Sequence, residues 1–243
     1  MQKLKTNKGK MSKVSYKTYF NDRLKQVPLH GQLTYPLYIQ VTFERRTIFF
    51  KSYYFELFSK ARYYQSAAGV GRGPSIEEIT DKENEVIDFI IRKYRDTFSL
   101  SLFKQAYSLY SRDLCNSTEE SFVNYMYHFF QDKGMPDFAI TVREGSRYRI
   151  AYHVVRDMKQ ALTKPLYEEL VENSLYYAPP YLPLYGFMQQ TKKWPMLCLT
   201  VMEWETGNTK TEFTAYLHQY YPKDNADEIM KQVEKWLQAV KAQ

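Results

Sequence analysis

The sequence predicts an α+β chain in which a small N-terminal three-stranded antiparallel sheet is followed by a mainly α-helical part with a minor β element. Three observations predict it. Apolar and polar side chains alternate with period 2 through residues 14–55. A glycine-rich stretch, "SAAGVGRGPS", occupies residues 66–75. Beyond it the apolar residues recur at helical spacing. The implied organisation is a basic tail over 1–13, a β unit over 14–65, a linker over 66–75 and a helical unit over 76–243.

"VSYKTYF" (14–20) alternates Val14, Tyr16, Thr18 and Phe20 against Ser15, Lys17 and Tyr19. "PLYIQVTF" (36–43) sets Leu37, Ile39, Val41 and Phe43 against Tyr38, Gln40 and Thr42, the pattern of a half-buried strand. "TIFFKSYYF" (47–55) is rich in β-formers and reads as a third strand, with Phe49, Lys51, Tyr53 and Phe55 on one face. Three strands in this space suggest a meander. A tight turn is expected near Glu44–Thr47, although Arg45 and Arg46 suit a φ > 0 position poorly, which points to a loop longer than two residues. "GVGRGPS" lacks the GxxxxGK[ST] pattern of a phosphate loop and reads as linker.

In the helical part, Ser75 and Glu78 form a capping-box signature ahead of an apolar stripe at Ile79, Val86, Ile87, Ile90 and Tyr94, so a helix is expected over about 76–95. "LSLFKQAYSLY" predicts a second. Ser117 with Glu120 opens a third, carrying Phe122, Met126, Phe129 and Phe130 and stopped by Gly134 and Pro136. "SRYRIAYHVVRDMKQAL" from Ser146 is read as a helix on its length. "YYAPPYLPLYGF" reads as a proline-rich loop, and "MLCLTVMEW" after it as a strand. Asn225 with Glu228 is expected to cap a final helix with Ile229, Met230, Val233, Trp236, Leu237 and Val240 on one face.

Charge is unevenly placed. The chain of 243 residues has a formal charge of +7, yet residues 1–74 hold 14 Lys and Arg against Asp22, Glu44 and Glu56, which is +11, and the remainder is −4. Such asymmetry fits a module that meets a polyanion. The lysines at 3, 5, 8, 10 and 13 can equally form a solubilising tail. No apolar run reaches the roughly 20 residues of a bilayer span, which predicts a soluble, cytoplasmic protein with no membrane partner. Cys115 and Cys198 stand apart and outside any metal-ligand pattern, and His30, His128, His153 and His218 lack ligand spacing, so no metal or other cofactor is expected. Adjacent acidic pairs such as Glu77/Glu78 point in different directions on a helix and read as first-turn charges. His153 and Arg156, at i, i+3, could donate to a scissile phosphate, or form a basic solvent face with Arg149.

"GQLTYPLYIQVTFERRTIFFKSY" resembles the N-terminal arm-binding domain of mobile-element tyrosine recombinases, over residues 12–58. The resemblance implies a small sheet that lays a strand into the DNA groove, a helical core-binding domain after it, double-stranded DNA as partner, and other recombination or mobile-element proteins as further partners. The family's catalytic set is not matched: His153 and Arg156 fit one element of it, and Tyr185 lies in the proline-rich segment without the motif that precedes the family's nucleophile. The expectation is therefore a non-enzymatic DNA-binding protein, an accessory or remnant of an integrase, without a catalytic residue. Its contacts are expected from Lys3, Lys5, Lys8, Lys10, Lys13, Lys17, Arg45, Arg46, Lys51, Tyr53, Arg62 and Arg72. The alternative expectation is a protein-interaction or structural module whose exposed aromatics form the contact surface.

Overall fold

The computed structural model describes residues 13–64 and 73–241. Lys3, Lys5, Lys8, Lys10, Arg72 and most of the linker lie outside the described residues. The fold is α+β. Strands β1 (Ser15–Phe20), β4 (Leu37–Phe43) and β5 (Arg46–Lys51) form an antiparallel sheet in the order β1-β4-β5. Between β1 and β4, β2 (Val27–Leu29) and β3 (Gln32–Thr34) make a separate hairpin, which the alternation did not announce. Its turn places His30 and Gly31 at φ 51° and 80°. His30 stacks on Tyr64 and packs so closely on Gly73 that any Cβ there would collide with its ring.

The register pairs Thr18 with Ile39 and Ile39 with Phe50, so residues of one parity line each face. Leu37, Ile39 and Val41 are buried, and Ile48 and Phe50 pack beside them. This inner face lies on α2 (Ile76–Lys93) and α3 (Leu100–Tyr110): Phe50 is 4.7 Å from Tyr107 between ring centroids, and Tyr16 donates its hydroxyl to Asp88 at 2.8 Å. Two details of the sheet correct the sequence reading. The β4–β5 connection is a two-residue turn after all, with Glu44 and Arg45 themselves at φ 51° and 64° and Phe43 paired with Arg46. Strand β5 stops at Lys51, because Ser52 caps a helix: its Oγ accepts from the Phe55 amide and α1 (Tyr53–Phe58) follows. Tyr53 and Phe55 therefore leave the sheet.

The helix α1 leads through a 3-10 turn (Ala61–Tyr63) towards the linker. Both sides of the linker share one hydrophobic core, joined by buried polar contacts. Glu83 sits within the apolar stripe of α2 and is fully buried. It accepts from Ser52 Oγ (2.6 Å), the Tyr54 amide (3.1 Å) and Tyr107 Oη (2.6 Å). Burial, offset in part by these bonds, pushes its carboxyl up to about 7. Tyr53 Oη accepts from the Asp113 amide at 3.0 Å.

Helix α4 (Leu114–Asp132) is surrounded by α5 (Pro136–Gly145), α6 (Ala151–Ala161), α7 (Lys164–Tyr177) and α8 (Tyr181–Thr191). Its cap is Asp113, not Ser117: the Asp113 carboxylate accepts from the Asn116 amide at 2.6 Å, while Ser117 bonds back to the Asp113 carbonyl inside the first turn. The proline segment is a helix rather than a loop. Pro180 precedes α8 and Pro183 falls in its first turn, where a missing N–H costs nothing. The segment expected as a strand at 196–204 forms only a single bridge, Asp113 to Thr200, and then turns into α9 (Val201–Thr206) through a Thr200–Glu203 capping box. The chain ends with α10 (Thr209–Tyr220) and α11 (Lys223–Lys241), the latter starting two residues before Asn225, with Ile229, Val233 and Leu237 buried. The helix expected from Ser146 begins at Ala151, and α5, α7 and α10 were not foreseen. Among the described residues no helix is long and apolar enough to cross a membrane.

Candidate nucleic-acid interface

Opposite the packed face, the same three strands present their other parity to solvent. Lys17 and Tyr19 of β1, Tyr38 and Gln40 of β4, and Phe49 and Lys51 of β5 lie together on this outer face. Phe49 is 58% exposed, although it sits in the middle of a strand. Tyr19 and Tyr38 are cross-strand partners with ring centroids 6.3 Å apart, and the Lys17 ammonium lies 5.5 Å from the Tyr19 ring centroid. Lys51 pairs with Glu56 of α1 at 3.1 Å, and that bond raises its pKa. The face thus carries two cations among three aromatic rings, and Thr42 and Thr47 bond across the strands at its turn end.

The turn separates the two arginines. Arg45 stands exposed at the tip in the left-handed region. Arg46 has the inner parity and lines a cleft of about 580 Å³ between the turn and the α2–α3 connection, together with Phe43, Arg95, Phe98 and Ser99. The Glu44–Arg45 backbone is a conformation that Asn-Gly adopts at lower cost. Lys13, also exposed, precedes β1.

Two residues expected at the interface are turned inward. Tyr53 opens α1, with its hydroxyl bonded to the Asp113 amide. Arg62 forms a buried ion pair with Glu119 at 2.7 Å, the two side chains 14% and 5% exposed, and donates to Asn116 Oδ1 at 2.9 Å. Neither shares the outer face: for Tyr53 the strand ended earlier than its aromatic composition suggested, and Arg62 lies in the 3-10 turn beyond α1, drawn in by Glu119. Conversely, Tyr19, Tyr38, Gln40 and Phe49 were not singled out. Their parity with Lys17 and Lys51 is the signal that could have found them.

The His153–Arg156 pattern is split by its surroundings. His153 lies edge-on to Tyr185, 5.7 Å between centroids, and burial, then Arg156 and Arg149, lower its pKa. Arg156 and Arg149 both engage Asp157, at 3.1 and 2.6 Å. The Tyr185 hydroxyl is buried, and burial raises its pKa well above the ordinary tyrosine value. Among the described residues no group of three His, Cys, Asp or Glu side chains could hold a metal ion. No protein-family model, curated protein or solved structure matches the chain.

Proposed function

We propose that the chain is a non-enzymatic DNA-binding protein that meets double-stranded DNA with the outer face and turn of its N-terminal sheet. The observation that carries this reading is the open face itself. A three-stranded sheet with one side packed on helices normally turns polar side chains to water; this one exposes Lys17 and Lys51 among Tyr19, Tyr38 and Phe49. Lysines meet phosphates as point charges, and aromatic rings pack on sugar edges. The strained Arg45 adds a cation at the end of the sheet, and the lysines before residue 14 extend the same charge in sequence. The resemblance to recombinase arm-binding domains agrees with such a surface and extends the proposal to an accessory role in recombination. Strand-transfer chemistry is left out of it, since the Tyr185 hydroxyl is buried and Arg156 is engaged with Asp157.

The test is a titration of full-length protein with duplex DNA at two salt concentrations, alongside a Lys17→Ala/Lys51→Ala double variant. Each lost phosphate contact should reduce the salt slope by about one unit. The expected result is weaker binding, a slope lower by about two, and unchanged melting. DNA binding that ignores both salt and the variant would rule the interface out. The exposed Phe49 favours a second reading, a protein-contact surface. That reading predicts a partner whose binding Phe49→Ala abolishes and salt leaves intact.

A further inference from the structure

A second basic site lies away from the sheet face, where the 3-10 turn after α1 meets α4 and the end of α5. A cleft of about 510 Å³ is lined there by Lys60, Arg62, Asn116, Glu119, Arg143 and Arg147, among others. The cations come from both sides of the linker, so the +11/−4 division of charge along the chain hides their convergence.

The carboxylates of the cleft consume only part of this charge, since Glu119 neutralises Arg62 alone. Glu119 is already saturated: Oε2 holds Arg62, and Oε1 accepts from the Ala151 amide at 2.8 Å and Tyr181 Oη at 3.1 Å. Glu120, exposed, is the other carboxylate of the lining. Lys60 makes no ion pair among the described residues; partial burial and then the neighbouring Arg62 lower its pKa, the response of an ammonium held beside another cation. Arg143 is stacked 4.1 Å from the Tyr127 ring centroid and lies 4.0 Å from Glu144, a long, exposed pair. Arg147 bonds Glu144 at 2.8 Å in an exposed i, i+3 pair, a contact weak enough to be exchanged for a stronger anion. Asn116 spends Oδ1 on Arg62 and Tyr63, leaving its amide N–H groups as donors. Arg62 Nε is buried without a hydrogen-bond partner.

We propose that this cleft binds a phosphate group. Lysine, two guanidinium groups and an amide supply more N–H donors than the cleft has acceptors for, and phosphate is the anion whose several oxygens accept them together. The volume admits a ligand of nucleotide size. The proposal does not rest on the sheet-face reading, because its cations are different ones. Two sources can present the group, a phosphorylated small molecule or a nucleic-acid backbone.

Calorimetry of full-length protein with inorganic pyrophosphate tests it, using three variants with unchanged melting. Saturable binding is expected, weakened about ten-fold or more in Lys60→Ala/Arg147→Ala by the loss of two charge-assisted partners. It should be tighter in Glu120→Gln, which removes a like charge from the rim, and unchanged in Lys17→Ala/Lys51→Ala. Absence of saturable binding, or equal weakening in the sheet variant and the cleft variant, overturns the site. Competition between a short duplex and pyrophosphate would assign the group to a nucleic-acid backbone, and its absence to a small ligand; either outcome supports the cleft. Failure of the sheet-face reading would leave the Lys60/Arg147 result standing.

Discussion

The two faces of the β1–β4–β5 sheet are built from alternate residues of the same strands, yet they are governed by opposite requirements. On the inner side, polar groups are held by specific partners, Tyr16 by Asp88 and Glu83 by Ser52, the Tyr54 amide and Tyr107, while the buried Tyr54 hydroxyl is left without a hydrogen bond. On the outer face, rings and ammonium groups face water with few partners. The difference teaches how to separate stability from function in this chain. Inner residues should carry folding energy and outer residues should carry binding.

The largest effects should come from the inner side. Glu83→Ala would leave the Ser52 hydroxyl, the Tyr54 amide and the Tyr107 hydroxyl without their acceptor in a dry site, at about 1–3 kcal/mol for each group that water cannot reach. Of comparable size, though away from the sheet, Arg62→Ala would strand Glu119 as a buried, uncompensated charge, with an expected loss of about 3–5 kcal/mol. By contrast, Lys17→Ala/Lys51→Ala should alter unfolding free energy by less than about 0.5 kcal/mol per site. Urea unfolding checks all three. A destabilisation by the outer pair as large as that of Glu83→Ala would erase the distinction between the faces.

This division was half legible in the sequence. The alternation in β1 and β4 gave the strands, and the capping box at Ser75 gave α2. Glu83 was overlooked although it stands four residues after Ile79 and three before Val86, in the stripe itself. A carboxylate there needs donors from other elements, which periodicity cannot supply. Aromatic composition argues for Tyr53 in the sheet, whereas the Ser52 cap decides for helix. The Thr200–Glu203 box was present too, masked by the apolar alternation of Leu197, Leu199 and Val201. In the last two cases a capping serine or threonine outweighed β-propensity, which is a weak and context-dependent preference. The parity that groups the outer-face aromatics with Lys17 and Lys51 is present in the sequence; which parity faces the helices is fixed by the packing of Ile39, Ile48 and Phe50.

An intermediate effect is the pH dependence of stability. Glu83, raised from 4.5 to about 7 by burial, binds a proton more tightly folded than unfolded. Asp113, raised from 3.8 to about 6 chiefly by burial, has the same sign. Their contribution is complete below the unfolded values and is lost as pH rises through the folded ones. Glu203 acts in reverse: despite burial, Lys82 and Lys192 hold it down to about 2, so its contribution is present above 4.5 and lost in strong acid. Stability should therefore peak at about pH 4 and fall towards pH 7. Glu83→Gln, which keeps an acceptor for Ser52 and a donor in place of the acid proton, should flatten the neutral limb and leave the acid limb unchanged. An identical pH profile for this variant would show that the inner face does not titrate.

A small gain rather than a loss belongs at the turn, where the two faces meet. Glu44 and Arg45 occupy left-handed backbone that costs a residue with a Cβ about 1 kcal/mol each, and Asn-Gly is the pair that such a two-residue hairpin prefers. Glu44→Asn/Arg45→Gly should therefore raise the unfolding free energy by about 1 kcal/mol, less whatever Glu44 loses in side-chain contact. Under the DNA-binding reading the same substitution removes the cation at the tip, so the salt slope should drop by about one unit while stability rises. Arg45→Lys separates the two effects, since it keeps both the charge and the strain and should retain the slope. If the Asn-Gly variant is stabilised and binds duplex DNA with an unaltered slope, Arg45 contributes nothing to the interface. The contact surface then shrinks to Lys17, Lys51 and the rings between them.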